Sequence, residues 1–422
     1  MASATSLMDA LTIAPAVLFL GTALSLLAAG IYVVALAAVG ALVRPGTRAT
    51  TDEADLPRVA LMLVAHNEER VIEGSVRSLM AQRYPRDRFA VFVVADRSTD
   101  DTAARAKSAG ATVLVREAGP EGKAAAVAFG AEAILGQGGF DALAIFDADN
   151  AVAVDFLEAI GERLAHGARV VQGFVDAKNP GDSWVSGSSA LGFWAIAALT
   201  QEPRERLGLS APLMGTGFAM RTKDAIRFLT NAESLTDDLE LGARLALDGV
   251  RVAYEPSAHV LDEKPAELGS AVAQRHRWMQ GRWAVAGRYL PRLIGHALGG
   301  EGPLAVRVRA LDVALQLVLP SLSFIAVAIL SIAVAGAVFG KFLPPAFART
   351  AFAFLSAGSL FVVGLALYVV PAVGIARFRP PTRVWLYYAL QPLYLLLSAP
   401  LAMSGFFTRR SRAWKRTPKG LV

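Results

Sequence analysis

Two aspartates two positions apart, Asp147 and Asp149, end a short apolar run in the segment FDADN. Side chains at positions i and i+2 of an extended backbone point to the same side, so the two carboxylates converge. Two negative charges that close favour a cation between them, and hard oxygen ligands suit Mg²⁺ or Mn²⁺. The spacing therefore predicts a metal site. A solvated acidic turn is the alternative interpretation.

Two other charged residues lie where a ligand contact is expected. Asp96 follows an apolar run in ADRSTDDT, and the alternative is that it caps a helix beginning near Ser98. Lys123 begins a helix directly after Gly122, well placed for a diphosphate or the edge of a nucleotide ring, although a solvated lysine fits as well. His66 has no second histidine at ligand spacing, so we do not expect it to bind a metal.

A second acidic cluster occupies residues 234–250, SLTDDLELGARLALDGV. Thr236 is predicted to cap a helix that Gly249 ends, with Asp237 and Asp238 in its first turn. One interpretation is that both acids simply suit the helix dipole. The same dipole would keep Asp238 ionised, which a general base requires before it can take a proton.

The turn MGTGFAM, residues 214–220, lies just upstream of this cluster. Its glycines, Gly215 and Gly217, lie on either side of Thr216. Because glycine has no Cβ, such a turn lets backbone approach a ligand closely.

The segment AVAQRHRWMQGRW, residues 271–283, combines arginines with indole rings. On a helix, Gln274, Arg277 and Trp278 share one face. A guanidinium suits phosphate oxygens and an indole packs on the apolar side of a sugar ring. The alternative is contact with anionic lipid headgroups. We predict headgroup contacts for four residues that follow: Arg282, Trp283, Arg288 and Tyr289.

The elements around these residues alternate between buried strands and amphipathic helices. The predicted strands are 59–66, 89–96, 111–117 and 141–149, and the predicted helices are 67–82, 98–110 and 122–135. Asn67 is predicted to cap the first of these helices. The alternation predicts a mostly parallel, doubly wound α/β sheet, in which ligands bind outside the carboxyl ends of the strands.

The composition is that of a membrane protein with one domain of ordinary charge density. The chain has 422 residues, of which 54% are hydrophobic. Each of four uncharged or nearly uncharged segments is long enough to span a bilayer: 11–43, 313–340, 350–376 and 384–407. The first is predicted to be a retained anchor, and 44–57 a polar linker. The absence of cysteine excludes disulfides and thiolate metal sites. The sequence has no basic face interleaved with aromatic residues, so we do not expect it to bind nucleic acid.

Basic residues flank the apolar segments and crowd the tail, 408–422. Because basic flanks face the cytoplasm, the charged domain is predicted to be cytoplasmic. Three full crossings after that domain would leave the basic tail outside. We therefore expect one segment not to cross, and 384–407, broken by Pro392 and Pro400, is the one most suited to a re-entrant or interfacial position.

The order AHNEE, VVADRSTDD, GK, FDAD, MGTG, TDDLELG and QRHRW resembles the family 2 inverting glycosyltransferases of the membrane-bound, cellulose/chitin/hyaluronan-synthase-like branch. The resemblance covers about residues 57–290. It implies a GT-A fold, a nucleotide diphosphate sugar donor and Mg²⁺ or Mn²⁺. The implied organisation is an anchor over 1–43, the linker, a GT-A domain over 58–266, an amphipathic interfacial helix over 267–300, transmembrane segments over 301–407 and the tail.

The resemblance also implies roles for individual residues. Asp238 matches the catalytic base, although the motif reads TDD where TED is usual, so Asp237 replaces a glutamate. Donor contacts are implied for Asp96, Lys123, Asp147, Asp149 and Arg277, with the metal on Asp149 and Asp147. Acceptor contacts are expected for Gly215, Thr216, Gly217, Gln274 and Trp278.

Three functions fit this pattern. The first is transfer of a sugar, from a UDP-sugar by preference, to a growing polysaccharide by metal-assisted in-line displacement. The second is transfer of a single sugar to a lipid acceptor. The third is an inactive nucleotide-sugar-binding scaffold of a secretion complex, against which the intact Asp147, Asp149, Asp238 and Arg277 argue. The long gating segment of the bacterial cellulose synthases is not recognisable after QRHRW, so the sequence does not predict processivity.

Overall fold

The structure, a computed structural model, describes residues 2–43, 51–229, 237–319, 322–339, 357–396 and 399–409. Within them, eight strands form one sheet in the order β3-β2-β1-β4-β7-β6-β8-β5. The strands are β1 Val59–Ala65, β2 Phe89–Asp96, β3 Thr112–Arg116, β4 Ala142–Asp147, β5 Ala151–Val152, β6 Val170–Ala177, β7 Phe218–Arg221 and β8 Val252–Asp262.

Helices cover both faces of the sheet and extend beyond it at the two ends of the chain. They are α1 Ala2–Leu42, α2 Ile72–Met80, α3 Thr102–Ser108, α4 Lys123–Leu135, α5 Phe156–Ala165, α6 Trp184–Ile196, α7 Glu202–Arg206, α8 Thr222–Leu229, α9 Asp237–Leu247, α10 Leu268–Gly299, α11 Leu304–Val318, α12 Leu322–Phe339, α13 Ala357–Ala376, α14 Thr382–Leu396 and α15 Ala399–Thr408. A π-helical turn, Ala197–Gln201, joins α6 to α7.

The first four strands are parallel to one another, as predicted. β1 pairs in parallel with both β2 and β4, and β2 pairs with β3. The apolar runs of β1, β2 and β4 are buried on both faces, which is typical of a parallel sheet covered by helices, whereas β3 at the edge is partly exposed. β7 is antiparallel to β4 and to β6, so the sheet is mostly rather than wholly parallel. The prediction of an α/β GT-A type domain is confirmed.

The two faces of the sheet form two cores. One core joins α4 to the sheet through residues such as Met62, Val94 and Ile134. The other joins α2 and α5 through Ile72 and Phe156. Burial of each side chain of this size stabilises the fold by about 1.5–3 kcal/mol relative to leaving it exposed to water. These two layers fix the strand ends where the candidate site residues lie.

The loop after β1 differs from its prediction. The helix predicted over 67–82 begins at Ile72, and Val71 rather than Asn67 precedes it. Asn67 has a φ of 55°, a left-handed conformation that asparagine tolerates. Its Oδ1 accepts a hydrogen bond from the Thr99 amide at 2.8 Å. The N-cap prediction is therefore wrong, because the side chain joins two strand-end loops instead of closing a helix.

The N-terminal helix packs on helices from the other end of the chain. Ala29 and Val33 of α1 share a core with Ile325 and Ile329 of α12 and with Leu367 of α13. Of the described helices, the stretch Leu24–Leu42 is long and apolar enough to cross a membrane. Shorter apolar stretches lie at Phe324–Val334 and Val362–Ala376, next to parts of the predicted spans that fall outside the described residues.

A buried ion pair joins these apolar helices to the α/β domain. Arg204 of α7 donates from Nε and Nη2 to the two carboxylate oxygens of Asp312 on α11, at 2.9 and 3.1 Å. The Tyr32 hydroxyl of α1 donates to the same carboxylate. Both side chains of the ion pair are about 5% exposed or less, at 4% for Arg204 and 5% for Asp312. The predicted span 313–340 begins inside α11. This helix is separate from α12, and it contacts α9 and α10.

The last two described helices lie against α10 and α6. A bend of 41° separates Thr382–Leu396 from Pro400–Thr408, consistent with the predicted interruption of segment 384–407. On α15, Gly405 lies so close to α10 that a Cβ there would be 2.7 Å from the Met279 Cβ. Residues 44–50 of the linker and 410–422 of the tail lie outside the described residues, and the predicted crossings stay predictions.

Candidate active site

Three carboxylates converge at the carboxyl end of the sheet. One oxygen from each of Asp147, Asp149 and Asp262 lies within 4.8 Å of the others. Asp147 is the last residue of β4 and Asp149 follows it in a turn, so the predicted convergence is confirmed. Asp262 is the last residue of β8 and was not predicted. We call these three residues the acidic triad.

Antiparallel pairing of β5 with β8 brings Asp262 to the triad. Ala151 pairs with Leu261, so the end of β8 lies beside the turn that carries Asp149. The Asn150 side chain then donates to Asp262 Oδ1 at 3.0 Å. The signal available in the sequence was an acid at the end of a strand-like run, VAYEPSAHVLD, but its partner strand of two residues is too short to recognise.

Three lysines surround the triad. Lys123 Nζ donates to Asp147 Oδ1 at 2.5 Å, and Lys264 Nζ donates to Asp262 Oδ2 at 2.8 Å. Lys178 donates to the main-chain carbonyl of Asp149. Burial raises the pKa of Asp262, and the charges of Asp149 and Asp147 raise it further, while Lys264 opposes the shift. The site thus concentrates negative charge that a bound cation would stabilise.

The donor set fits the predicted metal. Three carboxylates offer hard oxygen ligands and no nitrogen or sulfur, which suits Mg²⁺ or Mn²⁺. Ions of this kind keep coordination positions for phosphate oxygens of a substrate. His66 lies apart from the triad, and its Nδ1 is 2.7 Å from the Asp96 carbonyl oxygen.

The glycine-rich turn lies between the triad and α9. Gln172 is fully buried and supports the turn by donating to the carbonyl oxygens of Thr216 and Gly217 at 2.9 and 3.2 Å. The Thr216 hydroxyl donates to Asn150 and accepts from the Asp147 amide. Gly217 has a φ of 64°, and a Cβ there would be 2.7 Å from Val260 Cγ2. The Thr216 side chain therefore stabilises the turn. The predicted contact of this turn with the acceptor would be made by its backbone, and it stays a prediction.

Asp238 borders the same turn, at Gly215. Its Oδ2 is 3.5 Å from where a Cβ on Gly215 would lie, and Lys123 donates to the Gly215 carbonyl oxygen at 2.7 Å. Lys123 therefore contacts both the triad and the turn that borders Asp238. The predicted helix end is confirmed, because α9 stops at Leu247 just before Gly249. The predicted cap, Thr236, lies outside the described residues.

A narrow, mostly apolar cleft of about 20 Å³ lies beside Asp238. It lies between the segment 210–213, α9 and α11. Its apolar lining includes Leu213, Leu239, Val313 and Leu317. A space of this volume has room for a group of about the size of a water molecule or a hydroxyl.

Asp96 is buried at the end of β2 and held by two arginines. Arg116, on the neighbouring strand β3, forms an ion pair with its carboxylate, and the Arg97 guanidinium lies 3.4 Å away. Arg97 and Arg116 also donate to the main-chain carbonyl of Pro120. The sequence predicted Asp96 but missed both arginines, since Arg116 becomes its neighbour only through the pairing of β2 with β3.

The predicted motif residues on α10 lie between several helices. Gln274, Arg277 and Trp278 are all partly buried. The Trp278 ring lies 6.4 Å from that of Phe193 on α6, centroid to centroid. Lys264 Nζ lies 3.2 Å from the Phe193 centroid and also contacts the triad, so Phe193 links Trp278 to the metal site. The expected contacts of Gln274 with the acceptor and of Arg277 with the donor stay predictions.

The predicted headgroup contacts are wrong for three of the four residues. Arg282 donates to the Gln316 carbonyl oxygen at 2.8 Å, and Trp283 Nε1 donates to the Ala402 carbonyl oxygen at 3.0 Å. Tyr289 is buried, and its hydroxyl donates to Glu240 at 2.9 Å. These side chains lie on the face of α10 that packs on α9, α11 and α15, whereas other residues of this helix, such as Arg292, are exposed. Arg288 is half exposed, and its headgroup contact stays a prediction.

A family model described as "Glycosyltransferase like family 2" matches residues 57–281, and the chain belongs to this family. The chain is 33% identical over 245 residues to a beta-monoglucosyldiacylglycerol synthase of Synechocystis sp., covering 56% of this chain and 49% of that protein. It is 24% identical over 234 residues to a poly-beta-1,6-N-acetyl-D-glucosamine synthase of Staphylococcus aureus, covering 54% of this chain and 55% of that protein. The chain thus spans about half the length of the curated relatives it matches.

A solved structure has the same fold over most of the chain. A mannosyltransferase from Pyrobaculum calidifontis, solved with GDP-mannose and Mn²⁺, aligns with a TM-score of 0.57 and 20% identity, covering 91% of this chain and 99% of that one. At this identity the likeness establishes the fold alone. The predicted membership of family 2 is confirmed, and the cellulose/chitin/hyaluronan-synthase-like branch stays a prediction.

Proposed function

We propose that this protein is an inverting glycosyltransferase that transfers a sugar from a nucleoside diphosphate sugar to an acceptor hydroxyl. The observation that carries the proposal is that one glycine-rich turn contacts both the acidic triad and Asp238. The triad suits a metal-bound diphosphate, and Asp238 suits a base. Membership of family 2 and the names of the curated relatives support the same activity.

The proposed reaction is a single in-line displacement. Asp238 takes the proton of the acceptor hydroxyl, and the hydroxyl oxygen forms a bond to the anomeric carbon of the donor. The bond from that carbon to the diphosphate oxygen breaks on the opposite face, so the configuration inverts and the nucleoside diphosphate leaves. A divalent cation held by Asp147, Asp149 and Asp262 would stabilise negative charge on the leaving diphosphate.

Other residues of the site would orient the donor. Lys123 lies within reach of the triad and can contact phosphate oxygens once a cation takes its place beside Asp147. Asp96, fixed by Arg116, would contact the nucleotide base at the neighbouring strand end. Arg277 would bind the diphosphate, and its planar guanidinium suits two phosphate oxygens at once.

The apolar cleft beside Asp238 favours a membrane lipid as the acceptor. Leu213, Leu239, Val313 and Leu317 offer it an apolar lining. The beta-monoglucosyldiacylglycerol synthase of Synechocystis sp. carries a glycolipid product in its name and matches at 33% identity. Single-sugar transfer to a lipid hydroxyl is therefore our first proposal for the acceptor.

Extension of a polysaccharide is the second candidate. The relative that names a polymer product, the Staphylococcus aureus synthase, matches over a similar part of the chain at 24% identity. Phe193 lies beside Lys264, which contacts the triad, and Trp278 lies beside Phe193; both rings would suit a sugar ring of a growing chain. Secretion-complex subunits would then be partners that receive the product.

We further propose that the protein is an integral membrane protein with its active site on the cytoplasmic side. The stretch Leu24–Leu42 meets the length and composition of a membrane span. α13 and α14 expose large apolar side chains, such as Val373 at 70% and Leu386 at 67%. Burial of these side chains in lipid would remove apolar area from water.

Purified full-length protein in nanodiscs tests these proposals. Nucleoside diphosphate release is measured with UDP- and GDP-sugars, with Mg²⁺ or Mn²⁺, and with and without diacylglycerol or polyprenyl phosphate. Sizing of the product by mass spectrometry then separates the acceptors, since a lipid with one sugar supports the first candidate and a polymer the second. Donor binding without release or transfer under any of these conditions would favour the inactive scaffold.

A further inference from the structure

Arg282 is directed into the protein although it lies in a segment rich in basic residues. Its Nη1 donates to the main-chain carbonyl oxygens of Gln316 and Leu317, at 2.8 and 3.3 Å. Both carbonyls belong to the last turn of α11, where helix carbonyls carry partial negative charge. The arginine therefore attaches the end of α11 to α10.

The end of α11 that Arg282 holds is also a wall of the cleft beside Asp238. Gln316, Leu317 and Asp238 line that cleft together. Burial lowers the pKa of Arg282, and the negative charge of Asp238 opposes the shift. Arg282 thus bonds to two residues, Gln316 and Leu317, that line the cleft together with Asp238, and the charge of Asp238 acts on its guanidinium.

Gln316 connects this wall to the N-terminal helix. Its Nε2 donates to the Ser210 carbonyl oxygen at 3.0 Å and to Asp312 Oδ2 at 2.8 Å. Ser210 also lines the cleft, and Asp312 accepts hydrogen bonds from Arg204 and Tyr32. These lining residues thus belong to one connected set of hydrogen bonds.

We propose that Arg282 is a positioning residue for the base Asp238. Its hydrogen bonds fix the cleft wall against which the acceptor hydroxyl is presented, and its positive charge interacts with the Asp238 carboxylate. The inference rests on the proposed transferase function. It assigns no contact between Arg282 and the substrate.

Other charged groups border α9, and each has partners outside the cleft wall. Glu240, on α9, accepts from Tyr289 and lies 3.7 Å from Arg288. Asp312 of α11 is neutralised by Arg204. Arg244 donates to the Phe228 carbonyl, and Lys123 donates to Asp147 and to Gly215, the residue that borders Asp238. Among these cations of the described part of the chain, Arg282 is distinguished by its bonds to Gln316 and Leu317 of the cleft wall.

The absence of cysteine from the chain allows a direct test of the charge. Arg282→Cys in the full-length protein is alkylated with 2-bromoethylamine, which restores a cation, or with iodoacetamide, which adds a neutral amide of similar size. We expect the cationic adduct to keep the wild-type acid limb of the kcat–pH profile. With the neutral adduct, the apparent pKa of that limb rises by about one unit, because a carboxylate that loses a neighbouring cation is protonated more easily.

The size of the rate effect gives a second readout. We expect the neutral adduct to lower kcat about tenfold at neutral pH, since a displaced base reacts more slowly, and to leave the donor KM within about twofold. Arg288→Cys, treated in the same two ways, is the matched control because Arg288 is exposed on the same helix. Its two adducts should behave alike.

Equal profiles for both Arg282 adducts, or a loss of kcat at every pH with an unmoved acid limb, would overturn the inference. If the thiol variant does not fold, as measured by thermal unfolding, or if intact-mass measurement shows that its thiol is not alkylated, Arg282→Lys and Arg282→Gln give the same comparison of charge. A wild-type protein that releases no nucleoside diphosphate from any donor defeats the proposed function instead. The two failures are therefore distinguishable.

Discussion

The strand-end edge of the α/β domain and the apolar helices at the two ends of the chain use their side chains in opposite ways. At the strand ends, acids and lysines lie close together and each contacts several others. On α13 to α15, large apolar side chains are exposed, and Phe407 reaches 77%. In the described part of the α/β domain up to Asp262, the exposed large apolar residues are Val115, Val154 and Ile226.

This difference indicates that the two regions are built for different surroundings. Closely spaced carboxylates are stable only with counter-charges or a bound cation, so the strand-end edge is suited to binding a ligand. Exposed apolar helices are stable only when something apolar covers them, and large exposed apolar patches mark interaction surfaces. The ion pair of Arg204 and Asp312 lies where the two regions meet.

The largest expected effect is at the base. Asp238→Asn should lower kcat about 10²–10⁴-fold with little change in donor KM, because the amide takes no proton from the acceptor. Nucleoside diphosphate release and product formation measure the change. Asp248→Asn, at the other end of α9 and exposed, is the control. Full transfer activity in the Asp238 variant would reject the assignment of the base.

The junction between the two regions is expected to be the next most sensitive position. Asp312→Ala leaves Arg204 buried without its partner and should lower the free energy of unfolding by about 3–5 kcal/mol. Thermal unfolding in detergent measures the loss. Glu73→Ala removes an exposed pair with Arg77 and should cost at most about 1 kcal/mol. Equal effects of both variants would show that the junction is not a buried contact.

A matched pair of substitutions tests the surroundings of the two regions. Val373→Asp on α13 should disfavour membrane insertion by about 3 kcal/mol, because a carboxylate is costly in hydrocarbon. Val115→Asp, at a position 57% exposed on β3, should change stability by about 0.5 kcal/mol or less. Yield in the membrane fraction measures both. Normal yield of the Val373 variant would contradict a lipid-facing α13.

The smallest of these effects is expected at the triad residue that sequence reasoning missed. Asp262→Asn should raise the Mn²⁺ concentration needed for half-maximal activity about 10–100-fold, the range seen when support of a metal site is lost. A metal titration of nucleoside diphosphate release measures it. The exposed Asp155→Asn is the control. An unchanged metal requirement would remove Asp262 from the proposed metal site.

Local signals in the sequence predicted the first half of the sheet well. Runs such as VALMLVA and FAVFVVAD are apolar on both faces and alternate with helices, so parallel pairing followed from general rules of fold. Asp147 and Asp149 were predictable because their spacing is local. Asn67 was mispredicted since its amide group bonds to Thr99, a distant residue, and no local rule for helix caps contains that contact.

The sequence by itself determined the order of the first four strands and of the helices between them, the apolar character of the chain's two ends, and the identity of Asp96, Asp147, Asp149 and Asp238 as candidates. Only the tertiary structure decided that Asp262 completes the triad, that Arg116 fixes Asp96 and that Arg282 faces the protein rather than a membrane. Each of these contacts joins residues on different elements through strand pairing or helix packing. Periodicity and spacing report on one element at a time, and so they carry no information about which elements meet.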